Sequence, residues 1–189
     1  AVIYGDASQP LRKILLFDGI YVQEPGAVMT QTIRGFLQSS TVRSARLTHI
    51  VGSNGKNPTD RFWVTNGGAA RQLLLTNHLA GDEAANKDRN WSSLTFDVSD
   101  SALPGTDLAD GYGERIGTEA DHAAELPYNC MSWAGIIFSA AVRDTDNDGL
   151  IDKLEDVSNL RGPDGKPMPD LHAMGAYSQR KDAFIEIGA

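Results

Sequence analysis

The chain has 189 residues, 41% of them hydrophobic, and a formal net charge of −8, so it supports one sizeable core, or a core with an appendage, and excludes wholesale disorder. Acidic residues are concentrated late: residues 1–89 hold ten Lys and Arg against seven Asp and Glu, and residues 90–189 hold seven against eighteen. An acidic second half argues against nucleic acid and anionic membrane as partners, and it suits a cation.

In chain order, "RKILLFDGIYV" (12–22) is an apolar strand interrupted at Asp18-Gly19, a turn or bulge signal. "TQTIRGFLQ" (30–38) and "VRSARLTHIVG" (42–52) alternate in part; in the second, Ala45, Leu47, His49 and Val51 keep the period of two expected of a half-buried strand. "SNGKNPTD" (53–60) has the composition of a loop, and "RFWVTNGG" (61–68) and "RQLLLTN" (71–77) read as strands. A polar stretch (78–90) precedes "WSSLTFDVSD" (91–100), where Leu94, Phe96 and Val98 make an amphipathic strand. Residues 101–129, rich in Gly, Pro and Asp, read as a long loop with at most a short edge strand. "CMSWAGIIFSAAV" (130–142) is continuously apolar, as a buried central strand is, and about half the length a membrane span requires.

Short strands with turn signals and no amphipathic helix predict a mainly β protein, an antiparallel β-sandwich of jelly-roll type over residues 1–142. Residues 143–189 are then a calcium-binding loop, a short helix in "DKLEDVSNL", an irregular Pro- and Gly-rich stretch and a strand-like "AFIEIGA" that opens towards something further. The chain starts at Ala1 without methionine, as a processed protein or a fragment would.

The calcium expectation rests on "DTDNDGLIDKLE" (144–155), where five carboxylates crowd into a dozen residues and repel one another unless a cation sits among them. Counted from Asp144, oxygen side chains fall at positions 1, 3, 5, 9 and 12 (Asp144, Asp146, Asp148, Asp152, Glu155), with Gly149 at position 6 for the sharp turn. The backbone carbonyl of Leu150 completes the set at position 7, and apolar Ile151 turns away to pack. Calcium takes roughly six to eight oxygens, whereas magnesium prefers a smaller octahedral shell that keeps its waters.

This DxDxDGxxDxxE pattern resembles the EF-hand loop, and more closely the calcium loops of thrombospondin type 3 repeats and dockerins, because a strand rather than a helix enters it. The resemblance implies a structural clasp instead of a regulatory opening motion. The wider run from "NCMSWAGIIFSAAV" to "KDAFIEIG" resembles a region of large secreted bacterial proteins, where it leads into metallopeptidase-like or other extracellular domains. That implies a secreted or cell-surface, multidomain setting. "GPDGKPMPD" looks like a degenerate companion loop that keeps Asp164, Gly165 and Asp170 but lacks the ligand series.

Catalytic signatures are absent: no HExxH, no GxSxG, no phosphate loop. "EADHAAE" gathers Glu119, Asp121, His122 and Glu125; on a helix His122 and Glu125 would share a face, but a polar loop is the simpler reading. His49 reads as a structural histidine, with His78 and His172 scattered, and Cys130 as a lone buried thiol. Asn90 opens a glycosylation sequon. Trp63, Trp91 and Trp133 would serve a glycan if aligned on a surface, but in a sandwich they are more often core or rim. The expected function is a non-catalytic extracellular module, for adhesion or assembly, in which Ca2+ rigidifies the junction with neighbouring domains or subunits. The alternative is a carbohydrate-binding or accessory domain of a secreted hydrolase or metallopeptidase, marked by an exposed row of aromatics.

Overall fold

The structure, a computed structural model, describes residues 8–24, 26–39, 41–53, 60–65, 71–76, 91–99, 115–122 and 131–185. Cys130, Asn90, His78 and Glu125 lie outside these residues. Among them are eight strands: β1 (Arg12–Val22), β2 (Met29–Arg34), β3 (Ala45–Ser53), β4 (Asp60–Thr65), β5 (Arg71–Thr76), β6 (Trp91–Asp97), β7 (Arg115–His122) and β8 (Met131–Ala141). They form two four-stranded antiparallel sheets, ordered β1-β8-β3-β6 and β2-β7-β4-β5. The pairs β1–β8, β2–β7, β3–β6 and β4–β5 are those of one long hairpin wrapped around a barrel, which is the jelly-roll arrangement expected from the sequence.

Residues of period two supply the core between the sheets. Leu47 and Val51 of β3, Phe62 and Val64 of β4, Ile116 and Ala120 of β7, and Met131, Trp133 and Phe138 of β8 are all buried there. β8 reads as continuously apolar because it lies centrally, paired with β1 on one side and β3 on the other. A register shift at Ala134 changes which of its side chains face inward, so Gly135 and Ile136 are buried in succession. The Asp18-Gly19 signal in β1 is likewise a bulge, between Asp18 and Tyr21.

Three expectations are corrected. Residues 115–122, expected to lie in a loop with at most a short edge strand, form β7, a central strand between β2 and β4. Its Gly117 and its alternating small and polar residues hide the strand from a reading by composition, while cross-sheet packing of Ile116, Thr118 and Ala120 fixes it. β2 stops at Arg34, because Gly35 takes φ 66° and turns the chain. Residues 183–185 of the strand-like terminal segment form no strand; they follow the last turn without a pairing partner among the described residues.

The C-terminal unit leaves β8 directly. Among its described residues only five, α1 (Asp152–Asp156), are helical. The remainder is turns held by side chains, and it packs on the sandwich. A Cβ at Gly35 would meet the backbone of residues 161–163 at 3.1–3.2 Å. Val142 N–H donates to the Leu11 carbonyl (2.8 Å) and Ser39 N–H to the Ala141 carbonyl (2.8 Å), which fastens the exit from β8 to the start of β1 and to the loop after β2.

Candidate metal site

The loop begins where β8 ends. Asp152 N–H donates to the Arg143 carbonyl at 2.9 Å, closing the chain into a ring. Inside it, Asn147 (φ 57°) and Gly149 (φ 97°) take left-handed conformations. A Cβ at Gly149 would meet nothing within 4 Å, so backbone conformation rather than crowding calls for glycine there. This sharp turn brings ligand atoms of Asp144, Asp146 and Asp148 within 4.8 Å of one another.

Backbone donors hold these carboxylates in place. Gly149 N–H donates to Asp144 Oδ2 (3.0 Å), Asp148 N–H to Asp146 Oδ1 (3.2 Å), and Leu150 N–H to Asp148 Oδ1 (2.8 Å). Asp152 points elsewhere. Its two oxygens accept from the Thr145 N–H and Oγ1–H, both at 2.7 Å, and Arg143 Nε lies 3.4 Å away. Its reach to an ion at position 9 would run through a water, as that position often does.

Glu155 is the informative residue. As the only buried residue of α1 it has no solvent exposure, and neither carboxylate oxygen has a hydrogen-bond partner. Burial, reinforced by the charges of Asp148, Asp146, Asp152 and Asp182, pushes its pKa up to about 7. Asp146 is also raised, by burial and then by Asp148, and its Oδ2 is buried without a partner. Asp148 moves the other way: the N–H groups of Asp182 and Leu150 keep its carboxylate ionised. A buried carboxylate without donors costs free energy unless it is protonated or meets a cation. The donor set is all oxygen and carries several negative charges, which fits a hard divalent ion.

Residues far along the chain complete the surroundings, and sequence spacing did not point to them. Asp182 N–H donates to Asp148 Oδ2 at 2.7 Å, and Lys181 Nζ to the Asn147 carbonyl at 3.2 Å. Ser178 donates through N–H and Oγ–H to the Asp156 carboxylate, at 3.3 and 2.8 Å. His172 Nδ1 lies 2.8 Å from the Glu155 carbonyl, an acceptor, so this nitrogen carries the proton. The segment 170–182 thus folds back over the loop. Of the companion loop, Asp164 accepts from Lys166 N–H, and Asp170 from Ser158, Asn159 and Ala173; both serve as turn caps.

The other residues singled out by sequence lie apart from this site. Glu119, Asp121 and His122 sit on β7, not on a helix. Asp121 accepts from Arg61, Trp63 and Arg71; burial works against its charge, but the Arg61, Trp63 and Arg71 hydrogen bonds hold its pKa low. His122 Nδ1 lies 2.8 Å from Asp60. His49 is inside the core, stacked on Trp133 at 5.4 Å with Nε2 against Thr118 Oγ1 at 3.2 Å. Burial lowers its pKa to about 3, so it is neutral in the folded protein. The tryptophans are scattered: Trp133 is in the core, Trp63 is covered by the Arg71 guanidinium 3.8 Å from its ring centre, and Trp91 is 53% exposed. They form no exposed row.

No protein family matches the chain, and no curated protein matches it.

Proposed function

We propose that the chain is a calcium-binding structural module of an extracellular assembly, in which Ca2+ fixes the junction between the sandwich and the segment that follows it. The observation that carries this reading is the Glu155 carboxylate, buried close to Asp146 and Asp148 with both oxygens unpartnered, at a loop that also gathers Asp144. Calcium would take side-chain oxygens from these four residues, the Leu150 carbonyl, and Asp152 through water. Its charge offsets the mutual repulsion of the carboxylates, and the loop closes onto the residues that Asp148 and α1 already contact. Loops of this kind outside cells bind calcium at roughly 0.1–1 mM, so the site would be loaded outside a cell and mostly free of calcium in a cytosol. The scattered tryptophans favour this module over a glycan-binding domain.

The test is thermal unfolding with limited proteolysis in millimolar calcium, in millimolar magnesium and in excess EGTA. Calcium is expected to raise the midpoint well beyond magnesium and to remove cleavage within 143–165. Asp144→Ala is expected to lose both responses with the sandwich still folded. Equal protease resistance of Asp144→Ala and its parent in calcium would sink the reading.

A further inference from the structure

The first sheet ends on one side in β1, whose outer edge pairs with no described strand. Most edge strands are short, charged or interrupted by proline, since an open ladder invites another chain. β1 spans eleven residues without proline, and on its outward face Ile14 (41% exposed), Leu16 (63%) and, past the bulge, Ile20 (82%) stand in solvent. Its guards are the charges of Arg12, Lys13 and Asp18 and the bulge at Asp18–Tyr21, which leaves residues 12–18 regular.

The ladder shows which backbone groups are open. Leu11 accepts from Val142 N–H, and pairing with β8 runs in step from Arg12↔Ala141 to Asp18↔Gly135. In an antiparallel ladder alternate residues bond to a given neighbour. Lys13, Leu15 and Phe17 therefore bond to β8, and Arg12, Ile14, Leu16 and Asp18 direct their N–H and C=O groups to the open side.

We propose that this edge pairs with the same edge of a second copy, two-fold about Leu15, to give a continuous eight-stranded sheet across two sandwiches. This register sets Arg12 opposite Asp18 of the other copy and Ile14 opposite Leu16, each twice, on one face. Every hydrogen-bonded pair then joins residues whose backbone groups are open. Moving the axis to Ile14 sets Arg12 against Leu16 and brings Pro10, which has no N–H, opposite Asp18. Moving it to Leu16 sets Asp18 against Ile14. Only the Leu15 axis matches charge with charge and apolar with apolar. Arg12 donates to Ser44 Oγ (2.6 Å) and more weakly to Ser139, so its guanidinium lies back over β8 and must turn outward to meet the facing carboxylate when the copies pair. An edge of seven residues makes a small interface, so the dimer is reversible and concentration-dependent. The inference does not rest on calcium.

The test is sedimentation of the 189-residue chain over a range of concentrations, in calcium and in EGTA. A concentration-dependent dimer is expected in calcium, weakened at least tenfold by Leu16→Lys. Arg12→Glu and Asp18→Arg are each expected to weaken self-association roughly tenfold, because like charges then face one another at two symmetric places. Mixing those two variants restores opposite charges and is expected to give a heterodimer. The proposal would be overturned by a monomer at every concentration, by a dimer indifferent to Leu16→Lys, or by a mixture that stays monomeric. Slow hydrogen exchange at the Ile14 and Leu16 amides of a monomer would show the edge to be covered by the chain itself, and would overturn it too.

Discussion

Replacing Glu155 with Gln changes one charge and almost no volume, and the effect should depend on the metal. In chelator at pH 8 the parent holds a buried, unpartnered carboxylate beside Asp146 and Asp148. The amide removes that charge but still needs hydrogen bonds, so Glu155→Gln should gain about 1 kcal/mol, or about 2–4 °C at this chain length. In calcium that advantage is cancelled. With a Kd of roughly 0.1–1 mM, about 10 mM calcium stabilises the parent by about 1.4–2.7 kcal/mol. The variant loses the bidentate ligand, and its dissociation constant should rise at least tenfold, leaving it at most about 1.4 kcal/mol of that gain. Differential scanning calorimetry of both proteins, with and without calcium, reads the two terms separately. A variant that answers calcium as fully as the parent would refute the role given to Glu155.

Other consequences follow from neighbouring residues. Trypsin should cut after Arg180 or Lys181 readily in EGTA and slowly in calcium, because Asp182 N–H and Lys181 Nζ bond to the loop; equal cutting rates would separate this segment from the ion. Gly35→Ala forces a side chain onto φ 66° and against the backbone of residues 161–163, and should cost about 1–3 kcal/mol in urea unfolding. Phe138→Ala, in the centre of the core, should cost about 3–5 kcal/mol by the same measurement. Two opposed pH effects should also be visible in denaturant midpoints. His49 has a folded pKa near 3 against an ordinary 6.5, so only the unfolded chain takes up its proton, and stability falls as pH drops below 6.5. Glu155 has a folded pKa near 7 against 4.5, so without calcium the folded chain takes up a proton first, and stability rises as pH drops through that window. The chelated protein should therefore be flatter with pH than the calcium-loaded one, and His49→Gln should remove the loaded protein's slope.

What was legible in the sequence and what was not have separate physical causes. Strands with a clean period of two, such as residues 45–51 and 94–98, declared themselves through burial on one face, and β8 through burial on both. β7 stayed hidden because Gly117, Glu119, Ala120 and Asp121 carry little strand propensity, and packing between the sheets decided its conformation. In the 144–155 loop, local spacing gave the aspartate triad and its glycine. It could not give Asp182, Lys181, Ser178 or His172, which reach the loop only through the tertiary fold. Nor did spacing show that Asp152 is committed to Thr145, since that depends on which way the carboxylate rotates.

The pairing of Arg12 with Ala141 has a mechanical consequence. The chain enters β1 and leaves β8 at the same end of the first sheet. A tensile load applied between residues 11 and 142 would therefore peel the β1–β8 ladder apart one hydrogen bond at a time instead of shearing all its bonds together. The carbonyls of Leu11 and Ala141, and the turn at residues 161–163 pressed against Gly35, lie where such a tear would start. Whatever stiffens the 144–155 ring reinforces the weakest seam of the sandwich under tension.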